Sequence, residues 1–442
     1  MGDLHRLDGP ASARVTWGAA ARASIGLSIF FLVVYGGCNW VTAKRADVGE
    51  WYFEWERRIP FLSIMILPYM SIDLFFVAGP FLCERREELR TLSRRIVMAI
   101  VAGAVGFLVL PLRFAFERPA VEGWLGAIFD GFRMLDQPHN LVPSLHITLL
   151  AILTDLYARH TTGLLRVGLL MWFGLVGVST VFTYQHHVVD VVSGLALAVV
   201  CFWAAPEKAP ETPVLPNRRV GGLYLAGAAI AGLLVLVGWR WTAPLLWPMA
   251  SLTIVAGAYL GVGPGVFRKT GGRLPPSTRL LMGPYLVGQH LSLLYYRRQC
   301  RPWDEVTPGV LIGRRLSNSE ATAAVRAGVT AVLDLTAEFS EALPFLRLPY
   351  CNAAILDLTA PTPEQLGAAV AFIAQHATTG TVYVHCKIGY SRSAAAVGAH
   401  LLAAGQAGTL SDAEARLRRA RPTIVIRPEA MDALRRFAAA RS

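Results

Sequence analysis

The sequence predicts an all-α polytopic membrane domain of about eight spans, followed by an α/β domain. Three observations carry this. Apolar residues make up 54% of the 442 and the mean hydropathy is positive, which excludes an ordinary soluble protein of this length. Apolar runs of roughly 20 residues recur as far as Val262, each long enough to cross a bilayer core. Beyond position 300, short β-branched runs alternate with helical periodicity.

The runs lie at Ala23–Ala43, Pro60–Leu82, Arg95–Phe116, Leu141–Tyr157, Leu164–Tyr184, Val188–Ala205, Val220–Trp239 and Ala243–Val262. Cations crowd alternate loops: Arg85, Arg86, Arg90, Arg94 and Arg95, then Arg159 and Arg166, then Lys208, Arg218 and Arg219. Those loops are therefore cytoplasmic, and the N-terminus and C-terminal domain share that side. The formal charge of +12 has its explanation in membrane anchoring rather than in nucleic acid. A polar arm precedes the first run, which is long enough to span and is not a cleavable signal. The expected location is an inner or plasma membrane. Six cysteines lack pairing spacing, so no disulfide framework is expected.

Pro206–Asn217, rich in Pro and charge, reads as a linker between the sixth and seventh spans. Thr278–Arg298 reads as an interfacial helix ending in Tyr295, Tyr296, Arg297 and Arg298, residue types suited to headgroup level. Strands are expected at Gly309–Gly313 and Val329–Leu335, and helices at Glu364–His376, Ser411–Arg419 and Pro428–Ala439. Ser411 with Glu414 forms an expected capping box, and Pro428 suits a first helical turn. The division is 1–206, a six-span domain; 207–263, a linker and two further spans; 264–305, a basic linker and interfacial helix; and 306–442, the α/β domain.

Chemistry concentrates in Val382-Tyr-Val-His-Cys386-Lys387-Ile-Gly389-Tyr-Ser-Arg392-Ser393. A buried strand runs into a loop that closes on a helix N-terminus, and such an end binds anions. The same field lowers the pKa of Cys386. Arg392 folds back to hold two phosphate oxygens, Lys387 and Gly389 complete the cradle, and Ser393 stabilises the thiolate as a leaving group. The run matches the Cys-x5-Arg pattern of the cysteine-dependent phosphatases, and from Val306 onward the chain resembles their dual-specificity branch. That resemblance implies a thiophosphate intermediate and an aspartate that protonates the leaving oxygen. Asp357, opening a Pro-rich turn, is the candidate acid. Asp334 is its rival, at the end of a strand-like run that suits a structural part.

A second constellation gathers at span ends on the opposite face: Arg113 to Pro119, Pro143-Ser144-Leu145-His146, and Ser179 through His186 to Asp190. His186 and Asp190 are one helical turn apart, so the carboxylate can orient the imidazole. His186 is then the nucleophile on phosphorus, His146 the acid, and Arg118, Arg113 and Ser144 the phosphate holders; His187 reads as a supporting or loop residue. These segments resemble the type 2 phosphatidic acid phosphatase superfamily, and within it the lipid phosphotransferase branch of inositolphosphorylceramide and sphingomyelin synthases. Three positions depart from the superfamily pattern: Pro111 replaces a Lys, Leu145 a Gly and Thr180 an Arg. Fewer cations suit a diester's single charge better than a monoester's two, which favours headgroup transfer or diester cleavage.

The combined expectation is a bifunctional membrane phosphatase, with a His-dependent lipid phosphatase or headgroup phosphotransferase outside and a Cys-dependent phosphatase in the cytoplasm. Phospholipids or sphingolipids are the expected substrates, with phosphoproteins open for the Cys site. Neither pattern calls for a metal or cofactor. The alternative is a signalling protein phosphatase whose spans bind lipid without turnover.

Overall fold

The computed structural model describes residues 14–135, 139–207 and 214–440, except for the side chains of residues 133–135 and 239–240. The chain forms two compact units that divide after Glu207.

The first unit consists of α1 (Trp17–Thr42), α2 (Ile66–Leu82), α3 (Arg86–Val109), α4 (Gly123–Leu135), α5 (Leu145–His160), α6 (Gly163–Phe182) and α7 (Val188–Ala204). The Thr16 hydroxyl caps α1 by accepting from the Ala19 amide, and Ser144 caps α5 through the Ile147 amide, each satisfying an otherwise orphaned donor. α3 starts nine residues before the expected Arg95, because Glu87 and Glu88 favour its positive N-terminal end. It stops at Val109, ahead of Pro111. α4 was not expected from the sequence.

Helix α5 packs against α2, α3, α6 and α7. Its Ile147, Leu150, Ile152, Leu153 and Leu156 are buried with Ile96 and Phe107 of α3 and Val176 of α6. A helix surrounded by other helices rather than lipid needs neither span length nor uniform hydropathy, and α5 has 16 residues and carries Asp155. Among the described residues six helical segments are long and apolar enough to cross a membrane: α1, Ser63–Leu82, α3, α6, Arg218–Gly238 and Ala243–Val262. α5 falls outside that set, and α7 is shorter, at 17 residues.

The second unit opens with a hairpin of α8 (Arg218–Thr242) and α9 (Leu246–Gly257), which ends in a π-helical turn, Ala258–Val262. The expected single interfacial helix is two, α10 (Pro276–Leu281) and α11 (Gly283–Tyr296). Pro284 lies in the first turn of α11, where its missing N–H is tolerated, and the chain breaks just before it.

The α/β part carries β1 (Trp303–Thr307), β2 (Val310–Arg314), α12 (Asn318–Arg326), β3 (Val329–Thr336), β4 (Tyr350–Ile355), α13 (Pro363–Ala377), β5 (Thr381–Cys386), α14 (Ser391–Ala403), α15 (Leu410–Ala420) and α16 (Pro428–Ala439). Strand order is β1-β2-β5-β3-β4, with only β1 antiparallel to its neighbour. β5 is therefore central, and Val382, Val384, Ala394, Val397 and Leu401 share its core with Ile312, Leu333 and Ile373. α15 is capped by Thr409 with Asp412, which corrects the expected box of Ser411 and Glu414. The helix starts one residue before Ser411, so that residue already lies inside it, and Glu414 instead pairs with Arg418 one turn on.

Candidate active sites

β5 ends at Cys386 and α14 begins at Ser391, so the connecting loop lies at the carboxyl edge of the parallel strands, where such sheets bind ligands. Gly389 has φ 77°, and a Cβ there would collide with the Gly313 carbonyl, so only glycine fits. From behind, Arg421 Nη2 donates to the Ile388 carbonyl (3.1 Å) and the Arg315 amide to that of Lys387 (3.1 Å).

The thiol of Cys386 is buried, which by itself raises its pKa. The Arg392 charge and the Ser393 hydroxyl and amide outweigh that and hold it below the usual thiol range. The Ser393 hydroxyl has no oxygen or nitrogen partner among the described residues, which leaves it for the sulfur. Arg392 is clamped by Glu338, with Nη2 to Oε1 at 2.8 Å and Nη1 to Oε2 at 3.2 Å, and donates to the Ile355 carbonyl at 2.9 Å. This fork geometry is rigid.

Asp357 follows β4 and meets two cations, Lys387 Nζ at 2.6 Å and Arg392 Nη2 at 3.2 Å. Burial alone would raise its pKa, but Arg392 and then Lys387 hold it below the ordinary carboxylate value. Lys387 also donates to Gln289 of α11 at 3.0 Å. The structure thus brings together Cys386, Lys387, Gly389, Arg392, Ser393 and Asp357.

Asp334, the rival acid, is fully buried and bound to Lys269 Nζ (2.5 Å) and the Tyr350 hydroxyl (2.7 Å). Lys269 also donates to the Thr336 carbonyl (2.9 Å). His385 Nε2 lies 2.6 Å from Glu341. Burial would lower the His385 pKa, yet Glu341 and Asp334 raise it above the usual value. Asp334, Glu341 and His385 form a donor set of the kind that binds metals. The Lys269 ammonium, however, already occupies the Asp334 oxygen, so the cluster is a closed ion network.

In the first unit, His186 Nδ1 lies 3.4 Å from Asp190 Oδ2, and the same oxygen accepts from the His187 amide at 2.8 Å. The Ser144 amide donates to the Asp190 carbonyl at 3.1 Å. Gly194 of α7 makes room for that approach, because a Cβ would stand 2.5 Å from the Ser144 carbonyl. His146 stacks on Tyr69 with ring centres 4.3 Å apart, and its Nε2 has no partner among the described residues. Both imidazoles line one cavity of about 290 Å³, whose other walls are mostly apolar, with Phe31, Phe76 and Leu149 among them, but include Ser28, Asp73 and Asn140.

Ser144 is buried with its hydroxyl spent on the α5 cap. Arg118 donates to the Tyr184 carbonyl at 2.9 Å and exposed Arg113 pairs with Glu50 at 2.9 Å. Neither arginine lines the cavity. His187 is held by Glu56 at its Nδ1 (2.9 Å) and by the Ala115 amide at its Nε2 (3.1 Å), which requires the neutral Nδ1–H form. Glu56 escaped sequence reading because nothing near it in the chain marks it as buried. Glu338, Lys269 and Gln289 escaped for the same reason: their partners are distant in sequence.

Residues 315–440 match the family model described as dual specificity phosphatase, catalytic domain. No curated protein matches the chain. Among solved structures, Tk-PTP in its active form is 25% identical over 31% of this chain and 97% of its own, with a TM-score of 0.29. PTPMT1 in complex with PI(5)P is 23% identical over 32% and 96%, with a TM-score of 0.29. Human DUSP28 is 24% identical over 32% and 95%, with a TM-score of 0.26. The segment 315–440, which brings the Cys386 thiol, the Arg392 guanidinium and the Asp357 carboxyl together, is a dual-specificity phosphatase catalytic domain, and the enzyme is a phosphoric monoester hydrolase.

Proposed function

We propose that the Cys386 site hydrolyses the phosphomonoester of a phosphorylated lipid in the cytoplasmic leaflet. The Cys386 thiolate attacks phosphorus while Arg392 holds two phosphate oxygens, and the P–O bond to the alcohol breaks as Asp357 gives that oxygen its proton. Water then attacks the thiophosphate, Asp357 takes the water proton, and the thiolate leaves under the Ser393 hydroxyl. The observation that carries the lipid reading is the bond from Lys387 to Gln289. Gln289 belongs to α11, whose exposed Val287, Leu291 and Leu294 suit a membrane surface.

The test uses the full chain with a phosphorylated lipid in vesicles and a phosphotyrosine peptide. The lipid should be turned over faster, and Cys386→Ser should remove both activities, because an alcohol stays protonated where a thiol ionises. Faster peptide turnover, indifferent to vesicles, would leave a membrane-tethered signalling phosphatase.

A second reading concerns the first unit, and the mostly apolar cavity shared by His146 and His186 favours it. On this reading six helices, α5 and α7 included, form a lipid phosphatase or headgroup phosphotransferase domain on the outer face of an inner or plasma membrane. The hairpin α8–α9 brings the span count to eight. His186 takes the phosphoryl group, Asp190 holds its tautomer and His146 protonates the leaving oxygen. His186→Ala should abolish a lipid activity that Cys386→Ser leaves intact, and loss of both together would refute independent sites.

A further inference from the structure

The loop carrying Asp357 is gripped from the hairpin as well as from the catalytic cradle. Tyr259, in the π-helical turn that ends α9, donates its hydroxyl to the Asp357 carbonyl at 2.8 Å. Asn217, preceding α8, donates its side-chain amide to the next carbonyl, that of Leu358, at 2.7 Å. The two donors belong to the same end of the hairpin, since the Asn217 amide bonds the Tyr259 carbonyl at 2.9 Å. Leu215 and Pro264, flanking the hairpin, border Ile355 at the end of β4 and Leu356 and Thr359 of the same loop.

The loop needs this grip. Leu358 has φ 61°, a left-handed conformation that is strained for a non-glycine residue and persists only where its surroundings over-determine it. Within the loop, the Asp357 carboxylate accepts from the Leu358 amide at 3.2 Å and the Thr359 hydroxyl donates to the Leu356 carbonyl at 2.9 Å, but both bonds move with the loop. Lys387 and Arg392 are the cations an incoming phosphate will engage, and once they turn to substrate the hairpin donors are what tie this loop to the rest of the unit. Tyr259 is fully buried, and its ring stacks on Tyr224, with centres 5.6 Å apart, which packs in turn against Tyr285 of α11. The hydroxyl is therefore fixed relative to the hairpin.

We propose that Tyr259 and Asn217 are positioning residues for the general acid, so that the hairpin α8–α9 is part of the phosphatase's catalytic apparatus rather than a tether. This rests on the Cys386 reading above. A positioned acid matters only where the departing oxygen needs a proton, and a general acid contributes roughly 10²- to 10⁴-fold there. A displaced one loses part of that.

The test compares the full-length protein with its Tyr259→Phe and Asn217→Ala variants in detergent micelles, on phenyl phosphate and on difluoromethylumbelliferyl phosphate. The first has a poor leaving group and the second a good one that leaves unprotonated. The kcat ratio of phenyl to umbelliferyl substrate should fall about tenfold in either variant, and should not fall further when Tyr259→Phe is added to Asp357→Asn. An unchanged ratio, an equal loss on both substrates, or a further fall in the Asp357→Asn background would overturn the proposal. Tyr259→Phe removes a single hydroxyl, which keeps the test decisive if Asn217→Ala, deprived of its bond to the Val220 amide, misfolds. Activity surviving Cys386→Ser would instead refute the underlying nucleophile assignment, an outcome separate from these.

Discussion

Lys387 touches Asp357 at 2.6 Å and Gln289 at 3.0 Å, so it sets both a proton affinity and a direction. Asp357 must hold a proton when the leaving oxygen departs, and the rate therefore falls as pH rises through its pKa. Arg392 and Lys387 lower that pKa, and removing Lys387 raises it. In Lys387→Ala the limb of the kcat/KM profile set by Asp357 should move up by about one pH unit. The limb set by Cys386 with Arg392 and Ser393 should stay. Movement of both limbs, or of the Cys386 limb alone, would show that Lys387 acts on the thiolate instead. The cradle residues were legible because their chemistry is contiguous: Cys386, Lys387, Gly389, Arg392 and Ser393 lie within eight positions. Glu338 was not, since nothing local distinguishes it from a surface glutamate until the chain folds Arg392 onto it.

At the scale of elements, β3 and β5 are joined by more than their ladder. Lys269 enters from the segment ahead of α10 and neutralises Asp334 at 2.5 Å. Replacing it by Met leaves the buried cluster of Asp334, Glu341 and His385 one cation short, a change that costs about 3–5 kcal/mol. Lys269→Met should speed hydrogen exchange of the β3 and β5 amides; unchanged protection would mean that water reaches Asp334. The sign with pH follows from Asp334, whose folded pKa is depressed mainly by Lys269 and His385 against the opposing effect of burial. Its contribution to stability is present above the unfolded carboxylate pKa and is lost as pH falls below it. Strands β2, β3 and β5 and helices α13 and α16 were readable from period and β-branching, whereas β1, α12 and β4 were not. The start of α15 was not, because Thr409 and Ser411 are both good caps and packing of Ala413 and Leu417 selects the register. Helix α5 falls outside the set apolar enough to cross a membrane because hydropathy measures suitability for lipid, and this helix is surrounded by protein.

For the whole molecule, the topology makes a prediction of its own. Three spans separate His186 from Cys386 on the eight-span reading. A cysteine placed at Gln185 in a background without native cysteines should react with an impermeant reagent from outside, and a reporter at the C-terminus should be cytoplasmic. Reaction from the same side as the reporter would refute the count. Within the second unit, the apolar hairpin and the phosphatase have become hard to separate. Lys269 completes an ion network inside the sheet, while Asn217 and Tyr259 hold the acid loop. In the language of gene shuffling, a cassette cut at residue 306 would carry the whole catalytic signature into a new host. It would leave behind the ammonium that balances Asp334, so a recombinant that keeps every catalytic residue would still inherit an uncompensated buried charge.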